Sequence, residues 1–404
     1  MATLVTAGRL IDGTGAPPIS DGAVLVNQGR IVQVGRRSQI DVPAGTEIVD
    51  AGGWTVLPGL IDMHEHFGMD AMGNEDEQLR QPDAAIAIQA TRHARIALAG
   101  GVTTARIVGE INFIDVAYKR AIADGTMIGP RVLIATRPLV ATGGYGVFGG
   151  FAPADGPEGV RKMVRENIKA GADLIKLFVT GGGTYKTRPV PLQHYYSYDE
   201  IHAAVQVAHS FGRKVVVHAQ GGIGARYCIE AGVDVIDHGH FLSDDEAALM
   251  AKHGTALVAT NTIHLYPGTD WSAYPYLMEY RAEVQEAAGQ NIRRAKQHGV
   301  TYSLGTDAMH GLMWFEVGAA VRRAGLSPME GIVAATKTAA HVCGLGEETG
   351  TLERGKSADL IAVAENPLDD IEALAAVRLV MKEGQRYDPH QLLAGLAPQA
   401  GVLT

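Results

Sequence analysis

Cysteine is almost missing: Cys228 and Cys343 are the two in 404 residues. A disulfide framework and a cysteine-rich zinc site are excluded, and both thiols, set in helix-like segments, read as core residues. Basic clusters are missing too. With a formal charge of -9 and no run of Lys or Arg, the chain lacks the positive face that a phosphate backbone requires, so nucleic acid is not an expected partner. No apolar run approaches the length of a membrane span, and Met1-Ala-Thr-Leu-Val lacks the charged and apolar regions of a secretory signal. A cytoplasmic protein with no membrane partner is expected. The 46% hydrophobic and 20% charged residues suffice for a large core.

Residues 1–57 read as short strands, Leu4–Ala7, Ala23–Val26, Ile31–Val34, Glu47–Asp50 and Trp54–Leu57, separated by turn residues such as Asp12-Gly13 and Gly52-Gly53. From Pro58 the pattern becomes short apolar runs alternating with helix-length segments, the signature of parallel βα units. Strands are expected at Leu60–His66, Val102–Arg106, Arg131–Ala135, Leu174–Val179, Lys214–His218, Val233–His238, Ala256–Thr260 and Tyr302–Asp307. Eight such units close a TIM barrel. Expected helices include Ala84–Ala99, Val116–Asp124, Glu158–Ala170, Tyr198–Phe211, Asp244–His253, Tyr276–His298 and, last, Pro328–Leu345. Strand character then returns at Ala358–Val363 and Val377–Gly384. The expected fold is therefore α/β: a (β/α)8 TIM barrel, residues 58–349, inserted into a small split β-sandwich domain made of residues 1–57 and 350–404.

The stretch Thr55-Val-Leu-Pro-Gly-Leu-Ile-Asp-Met-His64-Glu-His66 ends an apolar run in two histidines two residues apart. On a strand those positions share a face, and two imidazoles aimed at one point suit a metal. Alone, His-x-His is as readily a pair of core or surface histidines. Lys176 lies within Asp173–Val179, however, while His218, His238 and Asp307 each close an apolar strand. In a parallel barrel the C-terminal strand ends line one mouth, so ligands far apart in sequence converge. Two glycine motifs carry less. Ile11-Asp-Gly-Thr-Gly15 is a turn, with no helix behind it. Gly144-Tyr-Gly-Val-Phe-Gly149 fits a dinucleotide loop in letters only, since Pro153 and Pro157 follow in place of an immediate helix. A substrate loop at the barrel mouth is the functional alternative there.

These residues, with Ser303-Leu-Gly-Thr-Asp307 and Gly355-Lys-Ser-Ala-Asp-Leu360, resemble the metal-dependent amidohydrolase superfamily over essentially the whole chain. Gly101-Val-Thr-Thr-Ala-Arg106, Gly129-Pro-Arg-Val132, Thr142-Gly-Gly144 and Asp173-Leu-Ile-Lys176 are similar to its imidazolonepropionase-like branch, which includes prolidase-like dipeptidases and ochratoxin-type amidases. The resemblance implies two divalent metal ions. His64 and His66 would bind the first with Asp307, His218 and His238 would bind the second, and carbamylated Lys176 would bridge them. A bare ammonium in so apolar a strand is costly, whereas a carbamate supplies a bridging anion. Zinc is the expected metal for His/Asp ligation.

The activity implied is hydrolysis of a C–N bond in a dipeptide, N-acyl amino acid or similar small-molecule amide, with Asp307 as proton shuttle. A cyclic-amide hydrolase or deaminase on the same scaffold is the alternative. Deaminases of this superfamily usually carry glutamate three residues after the strand-five histidine, where this chain has Gly221. No Gly-x-Ser-x-Gly elbow supports a serine hydrolase. Candidate substrate contacts on mouth loops are Tyr145, Lys186, Arg188, Tyr196, His264 and His310. Relatives often carry histidine at the position of Tyr145, and Arg188 has the better geometry for a substrate carboxylate. A homo-oligomer is expected.

Overall fold

The computed structural model describes residues 2–71, 75–146, 151, 153–183, 190–268 and 275–396. Its strands are β1 (Thr3–Leu10), β2 (Ile19–Asn27), β3 (Arg30–Arg36), β4 (Glu47–Val49), β5 (Thr55–Pro58), β6 (Leu60–Glu65), β7 (Val102–Ile107) and β8 (Arg131–Ile134). They continue with β9 (Leu174–Phe178), β10 (Lys214–Ala219), β11 (Val235–His238), β12 (Ala256–Ala259), β13 (Tyr302–Leu304), β14 (Leu360–Val363), β15 (Val377–Lys382) and β16 (Gln385–Tyr387).

The two ends of the chain share one sheet, in the order β16-β15-β14-β5-β1-β2-β3, with β4 paired to β1. β5 is its seam: Thr55 lies opposite Val363 in an antiparallel pairing and beside Arg9 in a parallel one. Alternating apolar residues give that sheet its own buried layer, including Val5, Leu10, Val24, Val56, Leu360 and Met381.

The middle of the chain forms parallel sheets, β6-β7-β8 and β13-β12-β11-β10-β9. Their strands read as nearly unbroken apolar runs because helices cover them and both faces are buried. Asp173 N donates to Ile134 O and Leu139 N to Lys176 O, each at 2.8 Å, so the edge at β8 meets the edge at β9. At the opposite edges Asp307 N donates to His64 O at 2.8 Å. Gly305 permits that approach, since a Cβ there would lie 2.6 Å from His64 N.

Helix limits follow capping chemistry. Ser197, Ser243 and Ser327 each form a capping box with a glutamate three residues on, starting helices Tyr198–Ser210, Asp244–His253 and Pro328–Ala334. Two expected helices are broken. Tyr276–His298 divides into Pro275–Ala287 and Gln290–His298 at Gly289, whose φ of 81° and contact with Arg323 backbone no larger residue would tolerate. Pro328–Leu345 divides because the Ala335 carbonyl accepts from Ile61 N at 2.8 Å, and a second helix, Lys337–Val342, starts afresh. Helices Gly222–Ala231 and Met313–Ala324 were not among those expected. Among the described residues no helix is long and apolar enough to cross a membrane.

Candidate metal centre

Parallel strands deliver their C-terminal ends to one side. β6 brings His64 and, one residue beyond its end, His66; β9 brings Lys176, β10 His218 and β11 His238. Asp307 follows β13. His238 and Asp307 sit at φ of 71° and 62°, a left-handed conformation costly for residues with a Cβ. That strain turns both side chains where a regular strand would not.

The imidazoles pack ring against ring. Centroids lie 5.3 Å apart for His64 and His66, 4.7 Å for His64 and His238, and 4.4 Å for His218 and His238. Asp307 enters among them, Oδ1 standing 3.4 Å from His64 Nε2 and 3.8 Å from His66 Nε2, and Oδ2 3.9 Å from His238 Nδ1. One ligand atom each of His64, His66 and Asp307 falls within 4.8 Å of the others. The outer ring nitrogens are fixed by the protein. His66 Nδ1 meets Gly109 O at 2.8 Å, His238 Nδ1 meets Thr260 Oγ1 at 2.7 Å, and His218 Nε2 meets Gly181 O at 3.1 Å. Such partners set the tautomer and leave the other nitrogen free for an ion.

Electrostatics agree with that geometry. Burial lowers His66 to about 4 and His218 to about 3, and holds His64 and His238 well below the ordinary imidazole value. Uncharged imidazole is the ligand form. Burial also pushes Asp307 up to about 7, against the pull of Lys176. A buried set of neutral nitrogen donors and one carboxylate, with little else to bind, fits divalent metal ions.

Lys176 is fully buried, and its Nζ donates to Asp237 Oδ2 at 2.6 Å. Burial lowers its pKa while Asp237 opposes the shift. Asp237 was missed from sequence and is the hub of the cluster. Arg106 donates to its Oδ1 at 2.6 Å, and His64 Nδ1 lies 3.0 Å from Oδ2. Burial alone would raise that carboxyl, yet Arg106 and Lys176 hold it well below the carboxylate range. A signal existed: a carboxylate inside the apolar run Val233–His238 needs a buried cation, and Arg106 ends another such run.

Among the proposed substrate contacts, Tyr145 reaches the cluster, its ring 4.7 Å from His218. His264 stands farther out, half-buried, 5.4 Å from His240. Tyr196 must be corrected. Its ring is fully buried and its hydroxyl donates to Ala154 O at 3.0 Å. It precedes the Ser197 cap, the position whose apolar side chain pins a helix start, and it shares a core with Ile201 on the first turn. His310 must be corrected as well. Its Nδ1 pairs with Glu65 at 3.0 Å and its Nε2 donates to Met69 O at 2.8 Å, so neither nitrogen is left for a substrate. Burial raises Glu65 to about 8 and lowers His310 to about 4, so the pair is neutral. Lys186, Arg188 and the end of the Gly144–Gly149 loop lie outside the described residues. At Gly221 a Cβ would stand 2.5 Å from Phe241 O, which leaves no space for the deaminase glutamate in this backbone.

The sequence profile of the amidohydrolase family matches residues 55–387. An ochratoxinase of Aspergillus niger is 31% identical over 95% of this chain and 86% of its own. A solved Xaa-Pro dipeptidase with methionine bound in its active site is 31% identical, covering 96% of this chain and all of that one, with a TM-score of 0.85. A solved prolidase complexed with N-methylphosphonate-L-proline is 28% identical over 96% of this chain and 100% of its own, at a TM-score of 0.87.

Proposed function

The chain belongs to the amidohydrolase family and is a hydrolase, and from that premise we propose a two-metal enzyme that cleaves C–N bonds of dipeptides, N-acyl amino acids or similar amides. The observation that carries this is the convergence of His64, His66, His218, His238 and Asp307, from separate strand ends, around uncharged imidazoles. Similarity to proteins called an ochratoxinase and a Xaa-Pro dipeptidase supports an amide or peptide bond as the target.

We also read the parallel sheets as one closed (β/α)8 barrel, residues 58–349, carried by a small β domain of residues 1–57 and 350–404. The hydrogen bonds between β8 and β9 and from Asp307 to His64 support closure, and the seam at β5 supports the split domain.

His64, His66 and Asp307 would hold one ion, His218 and His238 the other, with Zn2+ the default for these donors. When bound, such a pair supplies a polarised carbonyl and a water acidic enough to attack at neutral pH. Asp307 takes the proton of the attacking water on a carboxylate oxygen and passes it to the leaving amine nitrogen. Lys176 would join the ions as a carbamate: its neutral Nζ adds carbon dioxide, an N–C bond forms and a proton leaves. Burial favours the neutral amine this needs. The carbamate would keep one N–H, a donor that Asp237 Oδ2, now 2.6 Å from Nζ, could still accept. Asp237 therefore positions Lys176, and Arg106 fixes Asp237.

A hydrolysis screen of dipeptides, N-acyl amino acids, lactams and aryl amides with zinc-loaded protein tests this function. Turnover of a linear amide or dipeptide is expected. Turnover of lactams alone would replace it with ring opening.

A further inference from the structure

The strip Gly181-Gly182-Gly183, which follows β9, runs between two aromatic rings. A Cβ at Gly182 would lie 2.8 Å from Tyr145 Cζ, and one at Gly183 would lie 2.7 Å from Tyr280 Cδ1. Only glycine lets a backbone pass so close to both. Because Gly181 O meets His218 Nε2 and the Tyr145 ring packs on His218, the strip links this aromatic pair to the metal-ligand cluster.

Tyr280 stands on helix Pro275–Ala287 and is 3% exposed. Its ring lies 5.4 Å from His264 and 6.5 Å from Phe241. Its hydroxyl is buried, with no hydrogen-bond partner among the described residues. A buried phenol O–H left without an acceptor costs stability. Phenylalanine would fill the same space without that cost. Burial and the charge of Asp307 both push the phenol's pKa up, so the group stays protonated, a donor in search of an acceptor.

We propose that Tyr280 is a substrate-binding residue whose Oη–H donates to a carbonyl oxygen of the bound amide, in a recess walled by Tyr145, the glycine strip, Phe241 and His264. The assignment rests on the amide-hydrolase function proposed above. It adds a polar contact across the glycine strip from Tyr145, and it requires of the substrate an acceptor oxygen at that point.

Tyr280→Phe removes one oxygen and tests this. For the best amide of the screen, kcat/KM should fall by about tenfold or more, and the phosphonamidate of that amide should bind weaker by about the same factor. Metal content should stay the same. The melting temperature should be unchanged or higher, since an unsatisfied hydroxyl has gone. Gly183→Ala, which displaces the Tyr280 ring and leaves its phenol intact, should reproduce the loss in kcat/KM. Values of kcat/KM and phosphonamidate affinity in Tyr280→Phe within about twofold of the wild type would overturn the assignment. So would a clear drop in melting temperature, which would reveal a protein partner for the hydroxyl. Absence of any amide turnover in the wild type removes the function beneath the assignment, whereas turnover untouched by Tyr280→Phe removes the assignment alone.

Discussion

Two groups of buried histidines lie on the same side of the molecule and differ in one respect. His64 and His66 each turn Nε2 toward Asp307, while His218 and His238 each have one ring nitrogen held by the protein and pack against the neighbouring imidazoles. Behind them His310 spends both nitrogens on Glu65 and Met69, and His93 stacks on it at 4.0 Å with Nδ1 against Phe67 O. Burial lowers the pKa of both groups, so charge state does not separate them. Clustering does: ligand atoms of His64, His66 and Asp307 fall within 4.8 Å of one another, whereas among the described residues His93, though its Nε2 has no hydrogen-bond partner, belongs to no such group. The first group offers a candidate set of ligand atoms, and the second ties Glu65, Phe67 and Met69 together.

The contrast can be broken experimentally. Asp307→Asn keeps the shape of the front group but cannot accept a proton, so steady-state turnover should fall by roughly 10²–10⁴. Near-full turnover would leave the proton route wrong. Lys176→Ala should lose most activity and at least one metal by elemental analysis, while occupancy of the wild type should rise with bicarbonate during loading. A Lys176→Ala protein that still bound one metal and turned over at the normal rate, with no bicarbonate dependence, would reduce the front group to a single-metal site. His310→Asn attacks the rear group, where loss of support should cost about 10–100-fold in metal affinity or activity without changing which amides are preferred. A loss as large as that of Asp307→Asn would erase the distinction between the groups.

The smallest effect concerns Glu110, which stands with the rear group and accepts from Gly68 N at 2.8 Å. Burial raises it from an ordinary 4.5 to about 8. The folded state therefore binds this proton more tightly than the unfolded state, and the group's contribution to stability is full below 4.5 and declines as pH rises toward 8. Glu110→Gln should flatten that decline, raising the melting temperature at pH 8 relative to pH 5 by roughly 2–4 °C compared with the wild type. An identical pH profile in both proteins would show that Glu110 does not carry the shift.

The front group was legible in sequence because strand ends are. Period-two spacing puts His64 and His66 on one face, and apolar runs closing in His218, His238 or Asp307 point to a shared mouth. Alternation of strands and helices revealed the parallel sheets in the same way. The rear group and the recess were not legible, because loop residues acquire their direction from tertiary contacts. Tyr196 and His310 looked like mouth residues by position, yet a helix cap turned one inward and Glu65 captured the other. Asp237 escaped notice because its meaning depends on Arg106 and Lys176, far away in the chain. The breaks at Gly289 and Ala335 follow the same rule, each set by a backbone contact from a distant segment.

The central claim is that the front imidazoles, Asp307 and Lys176 form a two-metal hydrolytic centre. Elemental analysis of purified protein alongside its amide turnover tests this most directly. Close to two divalent ions per chain are predicted, with turnover abolished by chelation and restored on reloading. A fully active preparation without transition metal would contradict it.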